Sequence, residues 1–113
     1  MESTRLQKVS RLLQKELGGI FQRESLTFCA GKMVTVTTVR VSPDLGKAKV
    51  YISIFPNTHN TETLALIKTH TKSIRYELGK IVHNQMRVIP ELELFIDDSL
   101  DYVEKIEGLL KNK

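Results

Sequence analysis

Few residues of this 113-residue chain have the types and spacing that catalysis or metal binding needs. Asp97 and Asp98 are adjacent carboxylates, but neighbours on an extended strand point to opposite faces and cannot share a proton or a water. A helix cap is the better interpretation of this pair. His59, His70 and His83 lack the i, i+4 spacing of a helical metal pair. The sequence therefore predicts polar surface histidines and no metal site.

The single cysteine and the glycines add no catalytic group. Cys29 has no histidine pattern beside it, so we expect a half-buried small residue and not a nucleophile. The stretch GKM at 31–33 lacks the upstream glycine of a phosphate-binding loop, and a strand pattern follows where a helix is required. One cysteine also excludes an intramolecular disulfide. The chain therefore predicts a binding protein without a cofactor, and not an enzyme.

The charged residues form a more coherent pattern. The chain has a formal net charge of +4 and a sequence pI near 9.3. Residues 1–90 carry +8 and residues 91–113 carry −4. This split favours a basic body that meets a polyanion and an acidic end that does not, although many small soluble proteins are mildly basic without such a partner.

Membrane association is not expected from this sequence. No apolar run approaches the ~20 residues that cross a bilayer. The N-terminal stretch MESTRLQKVSRLL lacks the apolar segment of a signal peptide. We therefore expect a cytoplasmic protein with no membrane partner.

Residues 3–24 predict a helix that Ser3 or Thr4 caps. The Gly18-Gly19 pair costs this helix stability and marks either close packing or a weak point. One broad face is apolar, and a basic stripe lies beside it. The apolar face consists of Leu6, Val9, Leu12, Leu13, Leu17, Ile20 and Phe21, and the stripe of Arg5, Lys8, Arg11 and Lys15.

A loop at 25–32 leads to a predicted β-hairpin of residues 33–42 and 47–55, whose turn Asp44 stabilises through its side chain. The second strand alternates, which predicts a sheet with one packed face and one wet face. The four phenylalanines are predicted to lie in the core, and no aromatic pair on the sheet is predicted to stack on bases. The packed side would carry Ala48, Val50, Ile52 and Ile54, and the wet side Lys47, Lys49, Tyr51 and Ser53. Exposed lysines on a strand bind RNA or protect a sheet edge.

The second half of the chain predicts more helix and one strand. Residues 56–63 form a turn that supplies Asn60 or Thr61 as a cap, and residues 62–86 keep helical spacing with a break within KTHTKS at 68–73. Residues 91–97 predict a third strand. An acidic helix at 99–111 follows, capped by Asp98 or Ser99. The order α-β-β-α-α-β-α predicts one two-layer α+β domain over residues 1–113, with a three-stranded sheet and helices on one face.

A second basic face is predicted on the helix after the break. Lys72, Tyr76, Gly79, Lys80 and His83 share one side, Arg75 lies just beside them, and Arg87 follows at the helix exit. Together with the stripe of the first helix, this face could follow a phosphate backbone, or it is simply a solvated helix face. Gly79 favours the first interpretation, because it would allow close approach of a ligand to the helix backbone.

Four stretches in order resemble the ribosome-binding factor A family. They are VTVTTVRVS at 34–42, DLGKAKVY at 44–51, IRYELGK at 74–80 and RVIPELELFIDDS at 87–99. No single one of them is specific, but the series is, and it covers nearly the whole chain without large insertions. The resemblance implies a KH-like fold in which two helices meet at a kink.

The same resemblance implies a function and partners. A member of this family binds the small (30S) ribosomal subunit and assists late maturation of its 16S rRNA, notably in the cold, without enzymatic activity. At the kink the family carries Ala-x-Gly, whereas this chain has His70, Thr71 and Lys72. The expected partners are 16S rRNA and the 30S subunit, and the protein is expected to be a monomer. The expected RNA-binding residues are Arg5, Lys8, Arg11, Lys15, Lys47, Lys49, Lys68, Lys72, Arg75, Lys80 and Arg87.

Two other functions fit the residues. A general KH-like RNA-binding module would bind free RNA of many sequences equally well. An interaction protein would instead dock a partner through the acidic terminal helix.

Overall fold

The computed structural model describes residues 4–56 and 58–97. Its elements in chain order are α1 (Thr4–Arg23), α2 (Ser25–Phe28), β1 (Met33–Val41), β2 (Lys47–Phe55), α3 (Asn60–Thr69), α4 (Thr71–Val82) and β3 (Glu91–Ile96). The predicted cap Ser3, the helix predicted at 99–111 and its caps Asp98 or Ser99 lie outside the described residues.

The three strands form one sheet with β2 in the centre. β1 is antiparallel to β2, and β3 is parallel to β2, so the chain crosses over through α3 and α4 between the two parallel strands. A bulge interrupts β1 between Val36 and Thr38. The Thr37 hydroxyl at this bulge donates a hydrogen bond of 2.5 Å to the Asp97 carboxylate, which ties the end of β3 to β1.

The core lies between one face of the sheet and the helices, as the alternation predicts. Ala48, Val50 and Ile52 of β2 are fully buried, while Lys47 and Lys49, which alternate with them, are exposed. The apolar face of α1 meets them with four fully buried side chains, because their spacing of three or four residues keeps them on one side of the helix. These are Leu13, Leu17, Ile20 and Phe21.

The hairpin turn is closed by side chains, as predicted for Asp44. The Asp44 carboxylate accepts hydrogen bonds from the Ser42 hydroxyl at 2.6 Å and from the Gly46 backbone N–H at 3.0 Å. Leu45 adopts a positive φ of 61°, which the turn holds in place. The Ser42 and Gly46 hydrogen bonds lower the pKa of Asp44 below its ordinary value of 3.8, because both favour the charged carboxylate.

Substitution of Asp44 by asparagine is expected to lower stability in a pH-dependent way. A carboxylate with a depressed native pKa stabilises the fold above its unfolded pKa and loses that contribution as pH falls through the native pKa. The difference in free energy of unfolding between wild type and Asp44→Asn should therefore be constant at neutral pH and shrink below 3.8. Urea unfolding across this range measures it, and a difference that does not change with pH would contradict this role.

The break between the two central helices falls at His70, within the predicted stretch 68–73. The His70 N–H donates to the Ile67 carbonyl, and the His70 carbonyl accepts from Ile74, so one residue ends α3 and precedes α4. The hydroxyls of Thr69 and Thr71 donate to backbone carbonyls of the last turn of α3. Such bonds compete with helix propagation, which explains why KTHTKS breaks the helix. The His70 ring packs on Phe28 with centroids 5.1 Å apart.

Several local predictions were wrong. The predicted loop 25–32 contains the short helix α2, which is a single turn that periodicity cannot detect and that the buried Phe28 anchors. The residue before α3 is His59 in a left-handed conformation, and neither Asn60 nor Thr61 is its cap. α4 ends at Val82 and not at 86, because the next residues turn back to the Val82 carbonyl.

Candidate nucleic-acid interface

A basic hollow of about 730 Å³ lies along α4 and the chain that follows it. Ile74, Leu78 and Val82 are buried in the core, which directs the opposite side of α4 outward. No acidic side chain of the described residues lines the hollow. We call it the α4 hollow; its lining consists of Lys72, Arg75, Tyr76, Gly79, Lys80, His83, Arg87, Val88 and Ile89.

Lys80 lies at the aromatic part of the α4 hollow. Its ammonium is 5.1 Å from the centroid of the Tyr76 ring and 3.2 Å from the Glu77 carboxylate. Both side chains of the ion pair are exposed, so the pair contributes about 0 to 1 kcal/mol and a phosphate can replace Glu77 as partner. Tyr76 is also exposed, and its ring offers a flat surface for a base or sugar.

Arg75 shapes the wall of the α4 hollow. Its guanidinium donates hydrogen bonds to the backbone carbonyls of Ile89 at 2.5 Å and Pro90 at 3.1 Å. These bonds hold the segment after α4 against the helix. The structure therefore gives Arg75 a positioning role that its sequence position alone did not show. A Cβ at Gly79 would meet the Ile89 side chain at 3.5 Å, an ordinary contact, so packing does not require glycine there.

Replacement of Arg75 by alanine is expected to loosen this segment and to cost about 1 kcal/mol, because two charge-assisted hydrogen bonds are lost at a partly exposed site. Urea unfolding measures the cost. Arg87→Ala is the matched control: Arg87 lies on the same segment with no described hydrogen bond, and its loss should stay within about 0.5 kcal/mol. Equal costs for the two variants would contradict the positioning role.

Two residues of the basic stripe of α1 line a groove that shares no lining residue with the α4 hollow. All four stripe residues are exposed, and Arg11 and Lys15 are the two that line this groove between α1 and β1. Lys68 is exposed in the last turn of α3. Of the three residues predicted at the kink, Lys72 is the one that also lines the α4 hollow.

Lys47 and Lys49 lie on the outer face of the sheet, which the helices do not cover. Across the ladders Lys47 pairs with Glu91, and Lys49 pairs with Glu93 and Arg40. These acids reduce the positive potential around the two lysines. The alternative that the lysines protect a sheet edge is wrong, because β2 is the central strand.

The outer face also carries two phenylalanines that the sequence interpretation missed, beside Tyr51, which it placed there correctly. Tyr51 and Phe95 stack with ring centroids 5.3 Å apart. Phe55 is 64% exposed and Phe95 37% exposed, so the prediction that all phenylalanines lie in the core was wrong for these two. The alternation of side chains along each strand could have shown this exposure. It puts Phe55 on the same face of the sheet as Tyr51, and it puts Phe95 and its neighbour Leu94 on different faces.

Three further features of the described residues concern metal ligands, the cysteine and the length of the helices. Residues 4–56 and 58–97 contain no group of three histidine, cysteine or acidic side chains that could hold a metal ion. Burial raises the pKa of the Cys29 thiol to about 11, which keeps it protonated and unreactive. None of the described helices is long and apolar enough to span a membrane.

Comparison with known proteins agrees with these observations. The family model described as ribosome-binding factor A matches residues 5–110. A ribosome-binding factor A from Cytophaga hutchinsonii is 42% identical over 110 residues, which is 97% of this chain and 83% of that protein.

Solved structures share the fold at lower identity. A crystal structure of ribosome-binding factor A from Thermus thermophilus has a TM-score of 0.68 and 22% identity, and the match covers 80% of this chain and 94% of that one. Coordinates of the Thermus thermophilus protein fitted into a cryo-EM map of a 30S complex have a TM-score of 0.59 and 22% identity over 77% of this chain and 93% of that one. From the family match and the identity over nearly its full length, this chain is a member of the ribosome-binding factor A family.

Proposed function

We propose that this chain is a single KH-like RNA-binding domain that binds the 30S ribosomal subunit and assists late maturation of 16S rRNA. It acts in the cytoplasm as a monomer, without a cofactor and without catalysis, and it matters most in the cold. The observation that carries the proposal is the α4 hollow, where cations and an exposed tyrosine converge on one concave surface. The Thermus thermophilus relative has been fitted into a map of a 30S complex, which supports the same partner here.

The α4 hollow has the chemistry of a site for the RNA backbone. Lys72, Lys80 and Arg87 supply positive charge around its rim, and Tyr76 supplies a stacking surface. Phosphate contacts of this kind fix the position of a protein on RNA without reading its sequence. Specificity for the small subunit would then come from the shape of folded rRNA, which the hollow meets together with Lys68 and with Arg5 and Lys8 of the α1 stripe.

Cosedimentation of the purified protein with isolated small subunits and with whole ribosomes, across a salt series, tests binding. We expect retention by small subunits, with log K falling by about 0.7 to 0.9 for each phosphate contacted per unit of log salt. Equal binding to whole ribosomes, or to any RNA offered, would favour the general KH-like module instead. Binding to none of them at low salt would overturn the proposal.

A separate measurement tests the role in maturation. A bacterial strain that lacks its own copy of this gene should accumulate 16S rRNA with unprocessed ends, more strongly at low temperature, and the wild-type chain should restore processing. Primer extension on rRNA of free small subunits reports the ends. Normally processed 16S rRNA ends in the deletion strain at low temperature would contradict the role in maturation and leave only the binding to the small subunit.

A further inference from the structure

A second groove, separate from the α4 hollow, lies between α1 and the free edge of the sheet. Its volume is about 880 Å³, and α1 residues from Arg11 to Gln22 form one wall while β1 residues 33–36 form the other. β1 is an edge strand, because the sheet order is β1-β2-β3. Among residues 4–56 and 58–97, β1 therefore has a strand neighbour on one side only, and the groove runs along its other edge.

The backbone of β1 offers hydrogen-bonding groups to this groove. The Ile52 carbonyl of β2 faces β3, because it accepts the Asp97 N–H at 2.7 Å. In an antiparallel ladder its partner Val36, and Val34 two residues earlier, must then direct their N–H and C=O groups away from β2. The Gln14 side chain of α1 agrees with this direction, since its amide donates to the carbonyls of Val36 at 3.4 Å and Thr37 at 3.2 Å.

Gly18 keeps the groove open. A Cβ built at Gly18 would meet nothing within 4 Å, so no packing neighbour requires glycine in the middle of α1. Glycine there still costs about 1 kcal/mol relative to alanine. Gly19 also faces the groove, and a Cβ at Gly19 would meet only the far end of the Arg23 side chain, at 3.2 Å. A large side chain at Gly18 would project into the groove and obstruct part of it.

The charge and polarity of the groove define its occupant. Arg11, Lys15 and Lys32 line it, and no acidic residue among those described does so. The Lys32 ammonium already donates to the Thr58 carbonyl and keeps further N–H groups for an acidic partner. Met33 is 62% exposed and Leu26 is 86% exposed, and Leu26 lies beside Gly31 at the same end of the groove.

We propose that this groove binds an extended segment of a partner protein, which adds to β1 as a fourth strand beside residues 33–36. The segment carries acidic side chains toward Arg11 and Lys15 and apolar side chains toward Met33 and Leu26. Strand addition of this kind takes its affinity from main-chain hydrogen bonds and its specificity from the side-chain pockets. This site is independent of the rRNA contacts of the α4 hollow, because the two cavities share no lining residue.

Other occupants fit the groove less well. The phosphates of RNA carry only acceptors, so donors to the outward carbonyls would have to come from ribose 2′-hydroxyls, whereas an added strand supplies N–H and C=O groups together in register. A second copy of this chain paired through β1 would bring two sets of Arg11 and Lys15 along the same edge, which like-charge repulsion disfavours.

Amide hydrogen exchange tests the free edge. In the free protein the Val34 amide should exchange faster than the Thr35 amide, which faces β2 in the ladder. A blocked peptide that alternates glutamate and valine over eight residues is the probe, and its addition should protect Val34 and Val36. A Val34 amide that is already as protected as Thr35 in the free protein would overturn the proposal.

Fluorescence anisotropy with the same labelled peptide tests the groove. The wild-type chain should bind with a Kd below about 1 mM. Gly18→Ala, which adds only a Cβ, should bind within about twofold and unfold at higher temperature, because alanine favours the helix. Gly18→Leu should bind at least about tenfold more weakly, because the side chain projects into the groove and obstructs the bound segment.

Charge and competitors complete the test. Lys15→Glu should weaken binding of the glutamate–valine peptide. It should strengthen binding of a matched peptide in which lysine replaces each glutamate. Unchanged binding by Gly18→Leu, no binding to wild type, or protection of Val34 by a uridine oligonucleotide in place of the peptide would each overturn the proposal. Because Gly18→Leu leaves the α4 hollow intact, small-subunit binding should persist in it, which separates this proposal from the proposed function.

Discussion

The double substitution Lys72→Glu, Lys80→Glu is expected to weaken binding to the small subunit by about 100-fold, or about 2.7 kcal/mol. Both lysines line the α4 hollow, and Lys80 is held there by a weak exposed pair with Glu77 and by its contact with the Tyr76 ring. Each phosphate contact that is lost should also reduce the slope of log K against log salt by about 1. Cosedimentation of both proteins across the same salt series measures affinity and slope together.

The matched control places the same change of charge on another surface. Lys47→Glu, Lys49→Glu changes the net charge equally, but on the outer face of the sheet beside Glu91 and Glu93. A loss as large as that of the α4 double variant would show that binding responds to net charge and not to the hollow. Circular dichroism must show both variants folded. We expect the Lys80→Glu change to lower the free energy of unfolding by about 0.5 kcal/mol, because it places a second carboxylate beside Glu77 on α4.

Phe21→Ala is expected to lower the free energy of unfolding by about 3 to 5 kcal/mol. Phe21 is the largest of the fully buried side chains among the described residues, and it lies on the face of α1 that packs on the sheet. Its removal loses apolar burial and leaves a cavity that surrounding side chains fill only in part. Urea unfolding with an unchanged m-value measures the loss.

Leu26→Ala is the control for Phe21→Ala. It also removes a large apolar side chain, but Leu26 is 86% exposed on α2, so the change should stay within about 0.5 kcal/mol. Similar losses for the two variants would mean that the helix α1 does not pack on the sheet as described.

Periodicity in the sequence was enough to predict most of this fold. The alternation of β2 gave its buried face correctly, and the spacing on α1 gave its apolar face, because both elements have one dry side and one wet side. The threonines of KTHTKS correctly indicated the break at His70. What periodicity could not give were features made by single turns or residues, such as α2, which the buried Phe28 anchors, and the left-handed His59 before α3.

The candidate site was less predictable than the fold. The sequence grouped the cations by helix face, but it could not show that Arg11 and Lys15 of α1 line a groove separate from the α4 hollow. The role of Arg75 depends on the path of residues 89–90, which only the folded chain reveals. The Tyr51–Phe95 pair depends on the register of two strands that are distant in sequence.

The crossover between the parallel strands also has a consequence during synthesis of the chain. Lys47 pairs with Glu91 and Ile52 with Ile96, so every pair of this ladder joins residues 44 positions apart, whereas Val41 and Ala48 of the hairpin are neighbours around one turn. At ~5 to 20 residues per second, β2 therefore waits about 2 to 8 s for β3 after its own last residue is made. Throughout that interval the row of N–H and C=O groups that later pairs with β3 is open on a nascent chain rich in valine and isoleucine. On a crowded polysome, neighbouring nascent chains of this protein can therefore pair with each other through this open edge of β2. The risk lasts until Glu91–Ile96 emerge and pair with it.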